Sequence, residues 1–176
     1  MKKFIFITGI IIALFCFNCH VFAQIKTVVD ASKLISDVQI SGLFGCKVKL
    51  KPPTMKCNCY HVSDDKKVAI AINATPFKDK DIANDMLKMN YTNCCRDIST
   101  KKKTIAVYDS IQPFPTGGEN AHCLSGKGDK QNPGDVTRLQ FVSGNTLITF
   151  DTKGVDRQKV FSNLFVIYAI MKSNNR

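Results

Sequence analysis

The first 23 residues decide which part of this 176-residue chain has to fold. Lys2 and Lys3 precede an apolar stretch from Phe4 to Phe17, broken only by Thr8, Gly9 and Cys16. Val21-Phe22-Ala23 then places small or tolerated residues at the two positions a signal peptidase reads. Cleavage after Ala23 is expected, with Gln24 as the new N-terminus. The apolar core is shorter than the roughly 20 residues of a bilayer span, which argues against an uncleaved anchor. A lipid-accepting cysteine follows a small residue, whereas Cys16 and Cys19 follow Phe15 and Asn18, so soluble export is favoured over a lipoprotein. The sequence therefore predicts a periplasmic or secreted protein in which residues 24–176 form one domain, long enough to bury a real core.

Export changes the meaning of the cysteines. Six follow the signal: Cys46, Cys57, Cys59, Cys94, Cys95 and Cys123. An even number in an exported chain predicts disulfides, and six cysteines allow fifteen connectivities. The vicinal pair Cys94-Cys95 is expected to bond to two separate partners. The other long apolar run, Val160 to Met171, is interrupted by Ser162 and Asn163 and repeats at helical spacing. It reads as a buried helix, so no membrane span is expected after the signal.

The formal charge is +11 and falls to +9 once Lys2 and Lys3 are removed. Arginine stands only at 96, 138, 157 and 176, and there is no Trp. Nucleic-acid readers combine bidentate Arg with aromatic platforms, so this composition argues against nucleic acid. A diffuse lysine surface fits either simple solvation or attraction to anionic envelope polymers and lipid phosphates. The missing Trp weakens a carbohydrate-binding reading.

Along the chain, Val28 to Val38 reads as a short helix with Asp30 as its cap, ended by Ser41-Gly42-Leu43-Phe44-Gly45. Cys46 to Lys51 alternates, with Cys46, Val48 and Leu50 on one side and lysines on the other, as a half-buried strand does. A turn at Pro52-Pro53-Thr54 would return the chain through Cys57 to Val62 and set Cys46 opposite Cys59. Val68 to Asn73 reads as a strand, and Thr75-Pro76 as a helix start. Ile82, Met86 and Met89 mark the expected buried stripe of that helix. Thr104 to Tyr108 reads as a strand and Ile111 to Gly118 as a loop. Thr137 to Val142 and Thr146 to Asp151 are strands joined at Ser143-Gly144-Asn145. Asp156 caps a last helix with Val160, Phe161, Leu164, Phe165, Tyr168 and Met171 inward.

The two halves share a hairpin-then-helix pattern, with later elements offset by about 78 residues, which predicts a pseudo-repeat. Strand pairs followed by helices predict an α+β fold, an antiparallel sheet with helices packed on one face. The short helix, Gly42-Leu43-Phe44-Gly45, the Cys59-Tyr60 strand, Gly118-Glu119-Asn120-Ala121, the Gly144-Asn145 hairpin and the final helix also carry a resemblance. Together they resemble small exported or lipoprotein domains of unknown function from bacterial envelopes, with a PsbP-like α+β sandwich. The chain departs from that pattern in its extra cysteines and in lacking a clear lipid-attachment cysteine. The resemblance implies the fold and an envelope location, and no catalytic residues.

No motif for catalysis emerges. There is no G-x-S-x-G and no H-E-x-x-H, and Gly126-Lys127 lacks the rest of a phosphate loop. Asp129 to Asp135 lacks calcium-loop spacing. The best chemical candidate is Cys57-x-Cys59-x-His61, which on a strand would put two thiols and an imidazole on one face, a donor set suited to copper or zinc. Cys94-Cys95 and His122-Cys123 could complete it. A thiol-redox role would need a low-pKa exposed cysteine, and no C-x-x-C is present. The sequence thus predicts a non-catalytic envelope domain that binds a protein partner or an anionic envelope component, with no cofactor. The alternative is a periplasmic metal or thiol-redox protein built on Cys57, Cys59 and His61.

Overall fold

The computed structural model describes residues 28–99, 108–114, 121–128 and 133–175. Their strands are β1 (Val48–Met55), β2 (Asn58–Ser63), β3 (Ala69–Pro76), β4 (Ser110–Pro113), β5 (Ala121–Gly128), β6 (Pro133–Ser143) and β7 (Thr146–Lys153). They form one seven-stranded sheet in the order β1-β2-β3-β7-β6-β5-β4, antiparallel at every pairing. A 3-10 turn (Ala31–Lys33) and three helices, α1 (Asp37–Phe44), α2 (Lys80–Ser99) and α3 (Arg157–Asn174), complete the α+β sandwich. No helix among the described residues is long and apolar enough to cross a membrane.

Side chains on a strand alternate between faces, and this sorts the core into two parts. Ile70, Ile72, Leu139, Phe141, Ile148 and Phe150 pack with Ile40 and Phe44 of α1 and with Val160, Leu164, Ile167 and Met171 of α3. Their strand neighbours Val142 and Leu147 point the other way and pack against Ala83 and Leu87 of α2. The helices therefore divide between the two faces, where the sequence pattern had placed them on one. The cause lies in β6, which is buried from Val136 to Ser143 apart from Arg138. A strand closed on both sides needs cover on both sides.

The pseudo-repeat is confined to strands. Ile70 and Ile72 on β3 match Ile148 and Phe150 on β7, all on the α1–α3 face. A two-fold axis through the sheet would keep the following helices on one face as well, and α2 and α3 lie on opposite faces.

Several boundaries differ from expectation for local reasons. The 3-10 turn is capped by Asp30, as expected, but α1 starts separately at a capping box formed by Ser36 and Gln39. Gly45 ends α1 in the left-handed region, at φ 63°. Pro52 and Pro53 lie inside β1, and the chain turns instead at Lys56-Cys57. Proline is tolerated there because β1 is an edge strand. Val48 pairs with Ser63 and Leu50 with His61, a register that separates Cys46 from Cys59. Thr75 and Pro76 complete β3, and Asp79 accepts from the Ile82 amide at the true start of α2. Ser110 to Pro113 forms a short edge strand inside the expected loop, and β5 had no sequence counterpart. The Lys101-Lys102-Lys103 run, residues 104–107 and residues 129–132 lie outside the described residues.

The β1 edge is closed without a further strand. Its outward amides at Val48 and Leu50 donate to Ser41 Oγ (3.3 Å) and Asp37 Oδ2 (3.1 Å) of α1. The next outward position is Pro52, which has no N–H. An exposed edge is a template for unwanted pairing, and this one offers almost no donors.

Gly154 follows β7 at φ 75°, where a methyl group would collide with the Lys67 carbonyl. Gly154→Ala is expected to cost at least about 2 kcal/mol, because both the backbone conformation and the contact are lost. Urea denaturation checks this, and an unchanged midpoint would contradict it.

Candidate functional site

The structure brings two of the three residues of the Cys57-x-Cys59-x-His61 motif together. Cys59 and His61 sit on β2, two residues apart on the α1–α3 face, and both are fully buried. The Cys59 Sγ lies 3.6 Å from His61 Nε2, and His61 Nδ1 lies 2.6 Å from Asp37 Oδ1 at the start of α1. A carboxylate only accepts, so this geometry assigns the ring proton to Nδ1 and leaves Nε2 to accept from the thiol. Burial pushes the Cys59 thiol up to about 12, and the carboxylates of Asp30 and Asp37 add to the effect. A thiol held protonated and sealed from solvent is a poor nucleophile. Cys57 is half-buried at the β1–β2 turn. Among the described residues no group of three or more His, Cys, Asp or Glu side chains is placed to hold a metal ion.

The remaining cysteines are dispersed. All six are thiols, with Cys59, Cys94 and Cys123 buried and Cys46, Cys57 and Cys95 half-buried. Cys59 on β2 and Cys123 on β5 are four strands apart, about 19 Å by strand spacing, beyond any disulfide. Burial also pushes the Cys123 thiol up to about 12. Sequence reasoning grouped His122 with Cys123, yet adjacent residues on β5 point to opposite faces.

His122 belongs to a polar layer beneath α2. Its Nε2 meets Gln140 Oε1 at 2.8 Å, Gln140 Nε2 donates to Thr149 Oγ1 at 3.1 Å, and the Tyr91 ring of α2 packs edge-on at 5.4 Å. Nearby, Arg138 makes a two-pronged pair with Asp151 and lies over the Tyr108 ring. Burial pushes the Tyr108 hydroxyl up to about 12. Burial likewise lowers His122 to about 4.

Among the described residues, no helix packs on the other half of this face. Beyond β7, the positions pointing the same way are Ala69, Ala71 and Asn73 on β3, Tyr60 and Val62 on β2, and Lys49 and Lys51 on β1. Tyr60 is 44% exposed and both lysines are exposed. The hydrogen bond and charge of Lys49, with Lys47 and Lys51 adding, hold the Asp64 carboxyl below its usual range. Ile82 and Met89 of α2, expected in the core, are 41% and 48% exposed, and Ala83, Leu87 and Cys94 take the buried positions. Sequence reasoning missed this surface. The alternation of β1 carried its lysine half, but nothing local to β2 and β3 shows that their second face lacks a helix.

No protein-family model matches the chain, and no curated protein is similar to it.

Asp37→Ala is expected to lower stability by about 2 kcal/mol, since it strands a buried imidazole N–H, and Asp37→Asn by less, since an amide oxygen still accepts. Equal, near-zero effects in chemical denaturation would contradict the relay. For His122 the folded value lies below the unfolded one, so its contribution is present above about pH 6.5 and is lost as pH falls through about 4. The loss amounts to at most about 3 kcal/mol. An NMR titration of the His122 ring is expected to show no protonation above about pH 5, and a midpoint near 6.5 would refute this.

Proposed function

We propose that this chain is an exported, non-catalytic domain that binds an acidic protein partner of the cell envelope through the bare β1–β3 half of its sheet. The observation that carries the reading is the composition of that surface: Tyr60 and Val62 at its centre, flanked by Lys49 and Lys51 on the edge strand. An aromatic and apolar centre with a charged rim is the anatomy of a protein interface. Six lysines against two aspartates between Cys46 and Lys67 give the rim its sign. Export rests on Lys2, Lys3, the Phe4–Phe17 stretch and Ala23. Cys59, buried beside His61, serves packing.

The Cys59–His61–Asp37 relay, with its thiol and imidazole buried, supports a structural role for the residues that suggested metal or redox chemistry. It joins β2, α1 and the amide of Leu50 on β1, the strand that displays the lysines.

Poly-L-glutamate serves as a probe of the basic rim. Binding by the purified protein should weaken with added salt, and Lys49→Glu/Lys51→Glu should reduce it at least tenfold. Lys33→Glu/Lys88→Glu, the same charge change on exposed lysines outside this face, should have little effect. Equal losses in the two double variants would remove the proposed site.

A further inference from the structure

We infer that the bare half-sheet is a groove for one amphipathic, acidic helix of the partner, an inference that rests on the binding reading above. On α2, Tyr91 directs its ring toward His122 on β5. At 3.6 residues per turn, Ile82 and Met89 fall on the side of α2 away from Tyr91 and are exposed, while Met86 between them packs against the Ala83–Leu87–Val142–Leu147 cluster. In this inference Tyr60, Val62 and Ala71 form the floor and the exposed Ile82 and Met89 of α2 the wall. Methionine at such a wall adapts to different apolar partners.

The dimensions fit a helix. Three strands spaced about 4.8 Å apart make a strip about 14 Å wide, and a helix with its side chains is about 10–12 Å across. β2 and β3 contribute six and eight residues to the length of the groove. That is about 20–26 Å, room for a helix of about fourteen residues. On the neighbouring strands α2 already occupies the same layer, so the occupant would continue it.

Two alternatives meet physical obstacles. Strand addition at β1 fails because its outward amides are taken by Ser41 and Asp37, and Pro52 offers none. Face-to-face pairing of two copies would bring two lysine-rich faces of the same sign together. An apolar stripe flanked by glutamates satisfies the floor, the wall and the lysine rim together, as in helix-in-groove recognition.

The test uses a lactam-stapled helix of about fourteen residues with Leu at i, i+3, i+4 and i+7 and Glu on one flank. Controls are a peptide of the same composition with scrambled Leu positions and one with Lys for Glu. The amphipathic acidic helix should bind at least ten times more tightly than either control. Ile82→Asp/Met89→Asp alters exposed side chains, and thermal melting confirms that it folds. This variant should lose at least tenfold for the helix while keeping its binding to poly-L-glutamate. Equal binding of the scrambled peptide, or an unaffected Ile82→Asp/Met89→Asp variant, overturns the groove and leaves the basic-face reading standing. Loss of any dependence on Lys49 and Lys51 in the poly-L-glutamate assay overturns both.

Discussion

One carboxylate ties the left half of this molecule together. Asp37 opens α1, receives the Nδ1–H of buried His61 through one oxygen and caps the edge amide of Leu50 through the other. Its partners lie 13 and 24 residues away in sequence, so the contact fixes α1 to β1 and β2 at once. His61 in turn accepts from Cys59, which faces the larger core. A buried imidazole without such partners would cost more than the packing around it returns. With them, β1 is a finished edge and its other face is free to carry lysines.

That arrangement explains why the chemically suggestive residues and the proposed binding surface are different things. Cys59 and His61 point into the α1–α3 face, while Tyr60, between them, points out of the other. Period two separates structure from display within three consecutive residues. The thiol that could have done chemistry is fully buried, and among the described residues α2 packs on β4, β6 and β7 and leaves the opposite face of β1 to β3 without a helix.

Much of the fold was legible from short-range signals. Gly144-Asn145 makes the hairpin it promised, Asp30 and Asp156 cap as expected, and Val160, Leu164, Tyr168 and Met171 face inward. The errors have a common origin in reading one residue type one way. Pro52-Pro53 resembles a turn, yet an edge strand has no use for the missing N–H. Ile82, Met86 and Met89 have core spacing, but only Met86 packs against the core, while Ile82 and Met89 are exposed and the buried stripe runs beside them at Ala83 and Leu87. β5, as Ala121 to Gly128, carries too many Gly, Ser and Lys residues to show alternation. The His61–Asp37 contact and the vacant layer beside α2 are tertiary facts, with no local trace.

The central claim is that the β1–β3 face, and not the opposite side of the sandwich, meets the partner. Tyr60 and Phe165 are both exposed aromatics, on opposite faces of the sheet. Replacing each in turn with a photo-crosslinking phenylalanine derivative, in cells that make the protein, compares the two faces under identical conditions. The expected result is a discrete adduct from position 60, abolished by Lys49→Glu/Lys51→Glu, and none from position 165. An adduct from 165 alone, or one from 60 that is indifferent to the lysines, would contradict it.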